Sequence, residues 1–192
     1  MPCAGSSERM GEAKALLRVG DRTFVQAVVQ ALTDGGCDPV IVVVPDDDAI
    51  HAAARKTGAT VLTNADPGEG PITSLRLALA ALDDTVDGIL YLPVDHPMVR
   101  PETVAQLLTM AASSDAPLVI PTYSGERGHP GYFGSSLFAQ LADPHLEGGA
   151  RTVVRGRLED AELVVVEDPG VLKDIDTPEA YATAIAEWSS GA

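Results

Sequence analysis

The chain has 192 residues, 45% of them apolar, which is enough for one well-buried domain and short for two. Lys plus Arg number 13 against 28 Asp plus Glu, a net charge of −15, so nucleic-acid backbones and anionic membrane surfaces are repelled and neither is expected as a partner. Two cysteines, Cys3 and Cys37, have no metal-ligand spacing and suit packing in a reducing compartment; with no apolar run of membrane length and no signal segment, a cytoplasmic protein is expected.

The chain opens on AGSSERMGEAK at positions 4–14, where two glycines, two serines, Arg9 and Lys14 read as a phosphate cradle. Glycine lets main-chain N–H groups turn toward an anion, and Arg9 and Lys14 add charge beside them. Neither Gly-Lys-Ser/Thr nor G-x-G-x-x-G occurs here, so this is no Walker A loop and no dinucleotide fingerprint. Thr23 then caps a helix whose Val25, Val28, Val29 and Leu32 share one face, with Gly35-Gly36 as its stop. An all-apolar strand follows over 40–44, as a parallel strand covered on both faces requires. A helix opens at Asp46 to Asp48 and runs to Lys56, and a short strand covers 60–63. The loop NADPGEGP at 64–71 leads into a helix over 72–82, whose first turn offers Thr73, Ser74 and unpaired N–H groups. A buried strand over 88–94 ends in Pro93-Val94-Asp95-His96-Pro97, and Pro101 is well placed to open the next helix. Residues 117–121 form a strand between prolines, 123–134 the longest irregular stretch, 136–141 and 150–158 short helices, 162–167 a strand and 177–188 a terminal helix. Strand and helix alternate throughout, which predicts a doubly wound α/β domain spanning 1–192, its mostly parallel sheet covered by helices on both faces.

Ligands in such sheets bind beyond the carboxyl ends of the strands, and Asp95 sits at one of those ends. Asp174 and Asp176, two apart in an extended segment, project to the same side and can converge on one hard cation. Magnesium suits them, since it takes one or two carboxylates completed by water and phosphate oxygens. His129 lies alone in Gly128-His129-Pro130 without a second zinc ligand at the right spacing. No nucleophile elbow or Cys/His pair suggests hydrolase chemistry.

Six stretches together resemble the nucleotidyltransferases, and among them the molybdenum cofactor cytidylyltransferase-like (MobA-like) group: AGSSERMGEAK, NADPGEGPITSLRLAL, LPVDHPMVRPETV, GERGHPGYF, LEGGARTVV and DPGVLKDIDTPEAY. The resemblance spans nearly the whole chain in order. It implies a nucleotide-diphospho-sugar transferase-like fold and transfer of a nucleoside monophosphate from a nucleoside triphosphate to a phosphorylated acceptor such as the molybdopterin cofactor. It also implies that Ala4, Gly5, Ser6, Arg9 and Lys14 hold the triphosphate, and that Gly70 and Ser74 border the base. Asp95 would bind magnesium with Asp176 as second ligand, while His129 and Arg151 fall on the acceptor side with Gly149 and Ala150. The Ala4-Gly5 form is similar to pyrimidine-using members and points to CTP. Arg9, Lys14 and Asp95 would be the catalytic set. Alternatives are a sugar 1-phosphate acceptor, or a non-catalytic delivery module in contact with a molybdenum enzyme; a nicotinamide-dependent oxidoreductase is disfavoured by the missing glycine fingerprint. The family has a full apolar strand before the cradle, whereas only Met1-Pro2-Cys3 precede Ala4, and Pro2 cannot donate to a ladder. A truncated first strand is therefore expected.

Overall fold

The computed structural model describes residues 1–3, 13–66, 68 and 70–190. A 3₁₀ turn at Lys14–Leu16 leads into a small antiparallel hairpin of β1 (Arg18–Val19) and β2 (Arg22–Thr23). Thr23 then caps α1 (Phe24–Asp34) through a full capping box with Gln26, which satisfies two of the backbone donors a helix start leaves open. Strand β3 (Ile41–Pro45), helix α2 (Asp48–Arg55, capped by Asp47) and β4 (Thr60–Asn64) form a strand–helix–strand unit of the expected type, with β3 and β4 parallel. Helix α3 (Pro71–Ala80) starts from Gly70 at φ 87°, a left-handed conformation that suits glycine. Strand β5 (Gly88–Tyr91) and helix α4 (Pro101–Ser113) follow, then β6 (Leu118–Tyr123), β7 (Glu126–Arg127) and β8 (Gly131–Gly134). The chain closes with α5 (Phe138–Ala142), α6 (Ala150–Gly156), β9 (Ala161–Val165), a 3₁₀ turn at Pro169–Leu172 and α7 (Pro178–Ser190).

Two findings refine the expected sheet. Its second half is mixed: β8 lies antiparallel between β5 and β6, β7 pairs antiparallel with β6, and only β9 runs parallel to β6. The stretch 123–134, read from sequence as irregular, supplies both β7 and β8. The strand expected over 88–94 is regular only to Tyr91, and Leu92 to Val94 continue as the segment that delivers Asp95.

Residues 1–3 take a definite form. Pro2 makes a single parallel bridge with Val43: the Cys3 N–H donates to the Val43 carbonyl at 2.8 Å and the Val43 N–H to the Met1 carbonyl at 2.9 Å. On its other edge the Pro2 carbonyl accepts from the Val94 N–H at 3.3 Å. The donor proline lacks would lie on that second edge, so the bridge to β3 is complete and the join to Leu92 to Val94 rests on one bond. These three residues connect the two halves of the sheet.

Strand alternation sends side chains to two apolar clusters, one on each face. Val42, Val44, Leu92 and Val94 face Phe24, Val28, Ile50, Val104 and Ala184 of the surrounding helices. Leu118, Ile120 and Phe133 face Leu75, Leu141 and Val153 on the other side. Helices thus cover both faces, as predicted. Among the described residues no helix is long and apolar enough to cross a membrane.

Candidate active site

At the carboxyl ends of the strands lies a cleft of about 900 Å³ that reaches from Cys3 and Lys14 across Asp95 to Arg151. Asp95 is put there by Pro93 and Val94, and its carbonyl accepts the Ile175 N–H at 2.9 Å. That bond stitches the 93–97 turn to the segment carrying Asp174 and Asp176, although the two are far apart in sequence. Lys14, in the first 3₁₀ turn, donates to Asp95 Oδ2 at 3.4 Å and to Asp176 Oδ1, so one ammonium joins both acidic segments. His96 Nδ1 meets Asp95 Oδ1 at 3.0 Å.

Burial by itself would raise the Asp95 carboxyl, but the hydrogen bond and charge of His96, with the charge of Lys14, outweigh it and hold Asp95 below its usual range. Asp174 moves the other way, raised first by burial and then by the charge of Asp95. Two carboxylates that oppose each other's ionisation in one cleft are arranged for a cation. Oxygen or nitrogen atoms of Asp95, His96 and Asp174 all lie within 4.8 Å of one another, a donor set that fits a divalent ion.

His129 is held by its N–H, which donates to the Val171 carbonyl at 2.9 Å. A side chain at neighbouring Gly128 would place its Cβ 2.3 Å from that same carbonyl, so only glycine fits. The His129 ring stands edge-on to His96 with centroids 4.6 Å apart, and Tyr91 is 6.2 Å away on its other side. Burial, then the nearby His96, pushes its pKa down to about 4, so the ring is neutral at pH 7. Its Nδ1 is buried and has no hydrogen-bond partner among the described residues.

Of the residues named from sequence, Lys14, Asp95, His129, Arg151 and Asp176 line this one cleft. Ala4, Gly5, Ser6 and Arg9 lie outside the described residues. Ser74 is placed differently from the expectation: it is 1% exposed, and its hydroxyl accepts from Asn64 Nδ2 at 3.1 Å. The same amide donates to Thr73 Oγ1 at 2.8 Å, and Asn64 Oδ1 accepts from the Asp66 N–H at 3.1 Å. Gly70, the N-cap of α3, and Ser74 in its first turn thus shape the loop after β4, and their neighbours Pro71 and Ile72 line the cleft. Asn64, His96, Arg127 and Arg155 were not singled out as site residues from sequence, whereas Asp174 was read with Asp176 as a candidate cation ligand. Asp174 carried a signal there, its spacing from Asp176; the other four depend on contacts between distant segments.

A MobA-like NTP transferase domain matches residues 2–163. The nicotine blue oxidoreductase of Paenarthrobacter nicotinovorans is 30% identical over 189 residues, covering 92% of this chain and 90% of its own. A Mycobacterium avium protein named a probable molybdenum cofactor guanylyltransferase is 27% identical over 188 residues, 95% of this chain and 91% of that one. Among solved structures, Rv0371c of Mycobacterium tuberculosis H37Rv superposes with a TM-score of 0.85 at 28% identity, covering 96% of this chain and 94% of that one. The same protein in complex with manganese gives a TM-score of 0.81 at 26% identity, over 96% and 95% of the two chains. Fold, cleft chemistry and these matches agree, and the chain belongs to the MobA-like NTP transferase family of nucleotidyltransferases.

Proposed function

We propose that this single-domain chain transfers CMP from CTP to a phosphate oxygen of a small phosphorylated acceptor of the molybdopterin type. The acceptor oxygen attacks the α-phosphorus, the bond from that phosphorus to the bridging oxygen of the β-phosphate breaks, and pyrophosphate leaves with the electron pair. A phosphate nucleophile is already ionised at neutral pH, so no general base is needed and the protein's task is alignment and charge neutralisation. The observation that carries this reading is Lys14 bonded to Asp95 and Asp176 across one cleft.

Lys14 and Arg9 hold the triphosphate and stabilise the departing pyrophosphate, with Ala4, Gly5 and Ser6 supplying the cradle. Gly70 and Ser74 set the loop that borders the base. Asp95 and Asp174 hold magnesium, which neutralises charge on the phosphate oxygens; the converging donor atoms support Asp174, whereas the resemblance favours Asp176. Asp176 then serves chiefly to position Lys14. Arg151 and the neutral His129 meet the acceptor, the latter as a hydrogen-bonding group without charge. Manganese in a relative's crystal supports a divalent ion in this fold. Handing the product to a molybdenum enzyme in the cytoplasm would make that enzyme a transient partner.

The test is pyrophosphate release from each of the four ribonucleoside triphosphates with magnesium and a panel of acceptors: a phosphorylated pterin, a sugar 1-phosphate and phosphoenolpyruvate. The reading expects CTP with the pterin to be fastest. GTP preference would overturn the base, sugar 1-phosphate preference the acceptor, and silence across the panel the transfer itself. A second reading, oxidoreductase chemistry, is favoured by the name of the P. nicotinovorans relative. Oxidation of a reduced nicotinamide with no pyrophosphate release would replace the first reading with it.

A further inference from the structure

The end of the cleft away from Lys14 has its own chemistry. Arg151, Val154 and Arg155 all line it, and their i, i+3 and i+4 spacing sets them on one face of α6. Val153, fully buried, fixes the opposite face of that helix in the core. Arg127 enters from β7, on a hairpin clamped by the Gly128 N–H to the Pro121 carbonyl at 2.9 Å and by the close approach to Val171. Between these arginines the cleft is lined by the half-buried Ile72, Leu146 and Val154, with Leu118, Ile120 and Phe133 packed behind them in the core.

The state of the arginines is informative in a chain of net charge −15. Elsewhere the described cations are largely engaged: Arg22 with Asp21, Arg100 with Asp168, Arg157 with Asp160 and Lys173 with Glu187. Among the described residues the side chains of Arg127, Arg151 and Arg155 have neither an ion pair nor a hydrogen bond; those of Arg55 and Lys56 share that state, but of these five only the three arginines line the cleft. Three guanidinium groups left open around one apolar lining, where carboxylates are abundant, form a receptor for anions supplied from outside. Arg151 lies near enough to the acid centre for its charge to act on His129 and Asp174. Arg155 is one helical turn, roughly 5 Å, farther along α6. A single phosphate at the reacting position occupies Arg151 and leaves the other two.

We propose, resting on the transferase reading above, that the acceptor carries a second anionic group in addition to the phosphate that reacts, on an apolar or ring-shaped body. Arg127 and Arg155 bind the second anion, and the body lies against Ile72, Leu146 and Val154. Guanidinium suits this role because its planar fork matches a carboxylate or phosphate through two parallel bonds.

Phenyl phosphate and carboxyphenyl phosphate are matched probes that differ only in the second anion. Isothermal titration of the whole chain with magnesium should show the carboxylated probe binding roughly tenfold tighter, the scale of one charge-assisted hydrogen bond. In an R127Q/R155Q variant that ratio should fall to about one. R127K/R155K should recover part of it, showing that the fold survives and that charge is the cause, and R55Q should leave the ratio at the wild-type value. Equal affinities in the wild type, or an undiminished ratio in R127Q/R155Q, would overturn the proposal. The two readings fail separately: lack of pyrophosphate release sinks the transferase chemistry and leaves the binding ratio standing, while a ratio of one removes the second-anion site from a working transferase.

Discussion

Asp168 gives the sharpest test of how the cleft is held. It is 2% exposed and accepts three bonds: Oδ2 from the Arg100 N–H at 2.8 Å and from Thr103 Oγ1 at 2.8 Å, and Oδ1 from the Gly170 N–H at 2.9 Å. It thus fastens the start of α4, which has no side-chain cap from its own N-cap residue, to the 3₁₀ turn at Pro169–Leu172. Asp168→Asn keeps the shape but exchanges one acceptor for an NH₂ group. The least costly orientation turns the remaining oxygen to Arg100 and Thr103 and sets NH₂ against the Gly170 N–H, leaving one buried donor unsatisfied at about 1–3 kcal/mol. Arg100 adds little, since its Nε is 3.9 Å away and its side chain is 59% exposed. We therefore expect a loss of about 2 kcal/mol, or roughly 4–8 °C in Tm for a chain of this length. Urea and thermal unfolding followed by circular dichroism measure it, with Arg100→Gln as a control that should lose less than about 1 kcal/mol. An Asp168→Asn midpoint equal to wild type, or a control as damaging as the test, would refute the reasoning. Because Val171 of the same turn holds the His129 N–H, the variant should also weaken acceptor binding more than turnover.

Lys14→Ala should lower turnover by roughly two to three powers of ten, the usual cost of one electrostatic donor to a developing anion, and near-normal turnover would remove Lys14 from that role. Asp95→Asn and Asp174→Asn should both move the magnesium titration to higher concentration, whereas Asp176→Asn should lower turnover with little change in that titration; the reverse pattern would return the second metal carboxylate to Asp176. Burial pushes the Cys3 thiol up to about 12 and the Cys37 thiol up to about 11, so at pH 8 both should react with a disulfide reagent at least roughly a hundredfold more slowly than in urea. Equal rates would show that these thiols are not buried. A Cβ at Gly35 would lie 2.4 Å from Val104 Cβ and 2.8 Å from the Pro101 carbonyl, so Gly35→Ala should cost about 1–3 kcal/mol by forcing α1 from α4, measured by the same unfolding curves.

The helices were legible because their signals are local. Thr23 with Gln26, Asp47 and Pro101 each mark a start within one turn of the chain, and each start is found where it was read. Strand β8 was not legible, since Gly131-Tyr132-Phe133-Gly134 has neither alternation nor β-branched residues. What makes it a strand is its partner: Tyr132, in register with Leu90, reaches diagonally over Gly88 of β5, where a Cβ would come 2.2 Å from the phenol oxygen. The pairing of an aromatic with a cross-strand glycine is invisible until both strands are placed. In the site, Asp95 could be read from its position after a strand, and Asp174 and Asp176 from their spacing. The His96–His129 contact, the Asn64 clamp on Thr73 and Ser74, and Asp168 under α4 all join segments that sequence order separates.

Charge ties these observations together. A nucleoside triphosphate carries several negative charges, and at distances beyond about 10 Å it meets a protein of net charge −15 through screened repulsion. Attraction must then be generated close to the ligand, within the cleft. Lys14, held by Asp95 and Asp176, and the arginines Arg127, Arg151 and Arg155 supply it. Beside Lys14, donor atoms of Asp95, His96 and Asp174 gather within 4.8 Å of one another, an acidic point that disfavours a bare anion and fits a divalent cation. The cleft thus draws its arginines from β7 and α6 and its carboxylates, with Lys14 among them, from the 93–97 turn and the 174–176 segment, a division suited to two anionic substrates that must meet over one metal. A surface with its cations spread evenly would bind either substrate as well but would not bring their phosphates to one point. The division therefore supports two-substrate transfer over capture of a single nucleotide.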